Sequence, residues 1–150
     1  MAARCRIEWG GRPVPLAARR LAARAVAAAL AHEGLGRCRL SVLVVDEAES
    51  ARLHGQHFGE PHPTDVMSFP DGSRDPRDGW RRLGDLAVCS AIAAREAAAR
   101  GRPFAEEFAL YVLHGCLHLL GYDDASEEER ARMWERQRAL LAELGINIAW

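Results

Sequence analysis

The chain predicts an α+β fold, a small mixed sheet of about four strands packed with about five helices. Three observations predict it. Short β-branched or alternating runs recur at 4–9, 40–45, 66–69 and 86–89. The longer stretches between them carry apolar residues at helical spacing. One of these, Phe104 to Leu120, is apolar over much of its circumference and so belongs at the centre.

Taken in order, residues 4–9 alternate weakly and suit a first strand. Pro13 and Pro15 precede an alanine-rich helix running to about His32, with Leu16, Leu21, Val26 and Leu30 on its apolar side. Gly34 and Gly36 end it. Leu40 to Val45 is almost continuously apolar, as an interior strand requires. Glu47 to about His57 reads as helix and leads into a Gly/Pro/His loop at 59–63. His57 and His62 there read as surface residues. Val66 to Phe69 is a short strand. The segment from Asp71 to Arg82 is rich in Gly, Asp, Arg and Pro and is expected to be an exposed, mobile loop. Leu86 to Cys89 gives the next strand, followed at once by a helix from Ala91 to Arg100. Gly101 and Pro103 break the chain before the apolar helix. Ser126-Glu-Glu-Glu129 is a capping box that opens a last helix, with Met133, Leu140, Leu141 and Leu144 inward. With no repeat and no linker, residues 1–150 are expected to form one domain.

A chain of 150 residues can bury about two-thirds of its unfolded surface. No run approaches the roughly 20 apolar residues of a membrane span. Charges occupy the start of the chain where a signal peptide needs its apolar core, so a cytoplasmic location is expected. Cys5, Cys38, Cys89 and Cys116 form no CxxC pair and read as reduced structural thiols. All 20 basic residues are arginine, which together with the abundant alanine and glycine reads as a GC-rich genome. The net charge of −1 offers no bulk attraction to nucleic acid, so any RNA contact must be a local patch.

The apolar helix carries the chemistry. His114 and His118 are four apart and share one helix face, where two imidazoles can meet one ion. Gly121 follows at a natural helix end. Six residues after His118 the chain presents Asp124, with Asp123 beside it. Two imidazoles and a carboxylate with a fourth corner open is the usual holding of catalytic zinc. Nickel, cobalt and iron take the same donors. Asp123 reads either as an acid that orients a ligand histidine or as a turn residue. Cys116 faces away from the histidines. The spacing H-x3-H-x2-G-x2-[H/D] is also the metzincin ligand frame. Those proteases place a glutamate base directly after the first histidine, and here that residue is Gly115.

These residues resemble the signature of the YbeY family, H-G-x-L-H-L-x-G-Y-D-H. The match holds at His114, Gly115, Leu117, His118, Leu119, Gly121, Tyr122 and Asp123, and Asp124 replaces the last histidine. Pro63-Thr64-Asp65-Val66-Met67-Ser68-Phe69-Pro70 is similar to the family's P-T-D-V-L-S-F-P. Gly84 to Ser90 is similar to its G-D-I-x-I-S strand. The resemblance runs from about Leu40 to about Leu144. It implies a metal-dependent endoribonuclease that hydrolyses single-stranded RNA in 16S rRNA 3′-end maturation and ribosome quality control. It further implies one Zn²⁺ held by His114, His118 and Asp124, and a catalytic set of His114, His118 and Asp123. The implied partners are rRNA and the small ribosomal subunit with its associated factors. Asp65 and Ser68 are implied to line the cleft, and Asp85 to start a strand.

Two departures stand out. A carboxylate at Asp124 lowers the net positive charge of the site, which makes it less acidifying than three neutral imidazoles. The family's L-N-x-x-[YF]-R segment falls on Leu53 to Phe58, with His54 at the asparagine and Phe58 at the arginine. Arg52, Arg74 or Arg81 could supply the missing charge. The departure at Phe58 motivates a second reading, a ribosome-assembly factor with a mainly structural zinc. A metallopeptidase is the third, and Gly115 speaks against it.

Overall fold

The computed structural model describes residues 4–148. The elements run β1 (Arg4–Gly11), α1 (Leu16–His32), β2 (Arg37–Val45), α2 (Glu47–Phe58), β3 (Val66–Pro70), β4 (Arg81–Cys89), α3 (Ser90–Ala99), α4 (Phe104–Leu119) and α5 (Glu127–Glu143). The α+β architecture is as expected. The sheet order is β1-β2-β4-β3. β1, β2 and β4 are parallel, and β3 closes one edge antiparallel to β4.

β2 shows how one face is used. Cys38, Leu40, Val42 and Val44 alternate along it and are buried, whereas Leu43 on the other face is 40% exposed. β2 is the interior strand that its apolar run predicts, flanked by β1 and β4, and Val45 is buried on the face that Leu43 shares. The register Val42↔Leu86 and Val44↔Val88 continues the same apolar stripe into β4.

α4 packs against α1, α3, α5, β3 and β4, the central place its composition demands. Phe108, Leu113 and Leu117 have no exposed surface. Each such side chain contributes about 1.5–3 kcal/mol by leaving water. α1 packs against α4, and its buried side joins Ala18, Ala22, Ala25 and Ala29 to the expected Val26 and Leu30. Small side chains let the two helices lie close. Leu16, expected inward, is 51% exposed.

β4 begins at Arg81, five residues before the expected start at Leu86, because the segment ahead of it is pinned. Asp75 is 1% exposed and receives the guanidinium groups of Arg77 at 2.8 Å, Arg39 at 3.2 Å and Arg82 at 3.2 Å. The hydrogen-bonding Arg77 side chain holds the Asp75 carboxyl well below the usual carboxylate range. Trp80 lies buried, with the guanidinium of Arg6 4.5 Å from its ring centroid. A stretch that reads as an exposed loop is thus anchored by one acid and one indole. Among the described residues no helix is long and apolar enough to cross a membrane.

Candidate metal centre

The end of α4 builds the centre. Gly121 takes φ +100, and its N–H donates to the His118 carbonyl at 3.1 Å. The Tyr122 N–H reaches back to the Leu117 carbonyl at 3.0 Å. These paired bonds are a Schellman closure, which only a residue free to take positive φ completes cheaply. The reversal returns the chain over its own last turn. It sets the Tyr122 carbonyl 3.1 Å from His118 Nδ1 and Asp124 Oδ2 3.8 Å from His118 Nε2.

His114 and His118 stand edge to face with ring centroids 4.8 Å apart. His118 Nδ1 meets a backbone carbonyl and His114 Nδ1 meets Gln137 Oε1 at 3.0 Å. Both partners only accept, so each Nδ1 carries the proton and each Nε2 keeps a free lone pair. Burial holds the His114 imidazole below its ordinary pKa, and the neighbouring His118 ring adds to this while Gln137 opposes it. The ring is therefore neutral at pH 7 and ready to bind a cation. One ligand atom from each of His114, His118 and Asp124 lies within 4.8 Å of the others. Tetrahedral zinc with bonds near 2.0–2.1 Å spaces its ligand atoms roughly 3.3 Å apart, which small side-chain rotations reach from here. The donor set fits zinc.

The surroundings decide what the centre can do. His114, His118 and Asp124 open into a cavity of about 610 Å³ shared with Asp65, Ser68 and Asp123. β3 delivers two of these. Ser68 Oγ donates to the Gly115 carbonyl at 3.1 Å, tying the strand to α4. Ser50, buried in α2, bonds both the N–H and the carbonyl of Thr64 and so fixes the loop that carries Asp65. Gly115 points the other way. A Cβ there would stand 2.8 Å from Leu86 Cδ2 and 3.0 Å from Val66 Cγ2, inside the packing between α4 and the sheet. The peptidase base position has no access to the cavity. Cys116 is fully buried, and burial pushes its thiol far up, so it is no ligand.

A family model described as Endoribonuclease YbeY matches residues 11–145. The chain belongs to the YbeY family. It is 50% identical over 107 residues to the Endoribonuclease YbeY of Kineococcus radiotolerans, which covers 68% of this chain and 62% of that protein. The Endoribonuclease YbeY of Alkalilimnicola ehrlichii is 43% identical over 145 residues, covering 93% and 84%. The solution structure of a Thermotoga maritima protein is similar with a TM-score of 0.62 at 27% identity, covering 92% of this chain and 88% of that one.

Against the YbeY frame, each expected residue has a definite place. His114, His118 and Asp124 come together as read from the spacing. Asp123 lines the same cavity, but its Oδ1 accepts from the Asp124 N–H at 2.7 Å. The Nδ1 atoms of both histidines are already taken by Gln137 and Tyr122. Asp123 thus shapes the backbone at Asp124. Phe58, at the YbeY arginine position, is 51% exposed on the cavity rim, its ring 6.0 Å from that of Phe69. Arg52, Arg74 and Arg81 do not line the cavity, and no arginine does so among the described residues. Arg130 and Arg100 line an adjoining cavity that shares Asp65, His114 and Asp124.

Sequence reasoning missed the part played by α5. Arg130 donates to the Asp124 carbonyl at 3.4 Å, Trp134 lies 6.4 Å from the His114 ring, and Gln137 holds that ring. Positions 130, 134 and 137 share one helix face, so the stripe itself was visible. Gln137 is 1% exposed, a buried polar side chain whose partner is His114. Gln137→Leu keeps the volume and removes the acceptor. Zinc affinity measured against a chromophoric chelator should fall about 10–100-fold, the usual cost of losing an outer-sphere partner.

Proposed function

We propose that this YbeY protein is a zinc-dependent endoribonuclease specific for single-stranded RNA, acting as a single domain in the cytoplasm. Its substrate would be ribosomal RNA, at the 3′ end of the 16S molecule and in ribosome quality control. The small subunit and its associated factors would be its partners. The observation that carries this reading is the convergence of two free Nε2 lone pairs and one carboxylate in an open cavity. The relatives named Endoribonuclease YbeY support the nuclease assignment.

One ion held by His114, His118 and Asp124 would supply Lewis acidity toward a phosphodiester oxygen and toward water. The chain's own groups do the rest. Gln137 and the Tyr122 carbonyl fix the two rings. Burial keeps His114 neutral and so available. Asp123 holds the turn that presents Asp124. The exposed face of Phe58 offers a stacking surface to an unpaired base, which a duplex would not provide. Arg130 lines the adjoining cavity that shares Asp65, His114 and Asp124, and would offer a guanidinium to a phosphate bound there.

The assembly-factor reading draws on Phe58 in place of an arginine. Against a structural role for zinc stands the burial of α4, which is complete without its ligands: Phe108, Leu113 and Leu117 sit in the core while Asp124 is 52% exposed. A single-stranded RNA oligonucleotide labelled at one end tests both. The zinc-loaded protein should cut it and spare the same sequence in a duplex. Chelation should stop cleavage without changing the circular dichroism spectrum, and added zinc should restore it. Unfolding on chelation, or a loaded protein that cuts nothing, would give the field to the assembly-factor reading.

A further inference from the structure

The C-terminal half of α2 and the loop behind it bring a second set of ligating side chains together. His54 Nε2 lies 3.8 Å from Glu60 Oε2, and His62 Nε2 lies 3.2 Å from the same oxygen. One ligand atom from each of the three residues lies within 4.8 Å of the others. The rings stand edge to face with centroids 4.9 Å apart at 81°. The first centre has 4.8 Å and 85°.

The tautomers match as well. His54 Nδ1 faces the His62 carbonyl at 2.9 Å, and His62 Nδ1 faces the Pro63 carbonyl at 3.4 Å. A carbonyl only accepts, so both Nδ1 atoms carry protons, and both Nε2 atoms point at the Glu60 carboxylate, where an ion would take the place of any proton they share with it. Backbone carbonyls on Nδ1 are the usual outer partners of metal-binding histidines. The loop is built to close in this way. Gly59 ends α2 at φ +73, and Pro61 packs so tightly on Gly55 that a Cβ there would come within 3.3 Å of it.

We infer that His54, Glu60 and His62 form a second site for a divalent transition-metal ion. Two imidazoles and a carboxylate select zinc, nickel, cobalt or copper over magnesium or calcium. Ligation takes the imidazoles in their neutral form, so one carboxylate leaves a bound dication with a net charge of +1. It would place that charge beside a cavity whose lining holds no arginine among the described residues, since His54 is part of that lining. The site is shallower than the first, with Glu60 and His62 more than half exposed, and so binds more weakly.

Zinc titrated calorimetrically into the metal-free full-length chain tests this. Wild type should take up two equivalents, one tight and one weak. His62→Ala, at a surface position, should keep the tight event and weaken the other about tenfold or more. His118→Ala should do the reverse. A single equivalent in wild type that His118→Ala abolishes, or a His62→Ala titration identical to wild type, would overturn the second site. The two centres fail separately. If the first is absent, His118→Ala behaves as wild type while His62→Ala still loses its event.

Discussion

His118→Ala should abolish the zinc binding proposed for this protein while leaving its fold in place. In the proposed centre the ring would provide one of three ligand atoms, so its removal costs more than the outer-partner range. Affinity should drop by more than about 100-fold, or roughly 2.8 kcal/mol. The fold should survive because the His118 side chain is 26% exposed and packs at the end of α4, past the fully buried Phe108 and Leu113. Mass spectrometry of the purified variant reads the metal, and circular dichroism reads the helix content. Zinc retained at wild-type level would mean that His118 is not a ligand. Asp124→His belongs in the same series. A third imidazole raises the positive charge of the centre, so tighter zinc or faster cleavage is expected if Asp124 is the third ligand. No change in either would remove Asp124 from the set.

Gly84→Ala should be strongly destabilising for a change of one methyl group in the sheet. A Cβ at this position would stand 2.3 Å from the Phe69 carbonyl oxygen, and the backbone takes φ +144. The oxygen cannot retreat, because Phe69 and Pro70 are paired with Asp85 and Gly84 across the β3–β4 ladder. Either β3 shifts or the residue sits in a strained conformation. The expected loss is on the order of 3 kcal/mol or more. Urea unfolding reads it as a lower midpoint. Gly10→Ala is the control, since its nearest neighbour is Leu43 Cδ1 at 3.6 Å, and it should cost less than about 1 kcal/mol. A shifted β3 would also carry Ser68 away from Gly115, so zinc affinity should suffer in Gly84→Ala and not in Gly10→Ala. Equal midpoints for the two variants would refute the close-approach explanation.

The ligand frame was legible because every part of it is local. Two histidines one turn apart, a glycine that closes the helix and an acid just beyond it all depend on neighbours within ten residues. Ser126 was legible for the same reason: its Oγ accepts the Glu129 N–H at 3.1 Å, a contact inside one helical turn. What escaped depends on chain segments meeting from afar. Gln137 reaches His114 across 23 positions, and Arg39 reaches Asp75 across 36. A polar residue on an amphipathic helix gives no hint of which distant ring it will hold. The segment at 71–82 has the composition of a free loop, and only the ion pairs of Asp75 make it otherwise. His62 read as a surface residue, and it is exposed, yet the turn at Gly59 folds it onto His54. On α1 the expected Val26 and Leu30 are buried, while Leu16 in the first turn is exposed and the alanines that share the buried side carry no apolar signal of their own.

Gly115 carries a consequence for how this scaffold can diverge. The neighbouring histidine is shared in spacing with a class of peptidases whose next residue is the base, so a single codon separates the two chemistries on paper. In the folded protein that codon specifies a point of contact between helix and sheet, where even one methyl meets Leu86 at 2.8 Å. A glutamate arriving there would have to part the core before it could touch a substrate. The route from one hydrolase to the other is closed by packing, at the residue beside the first histidine.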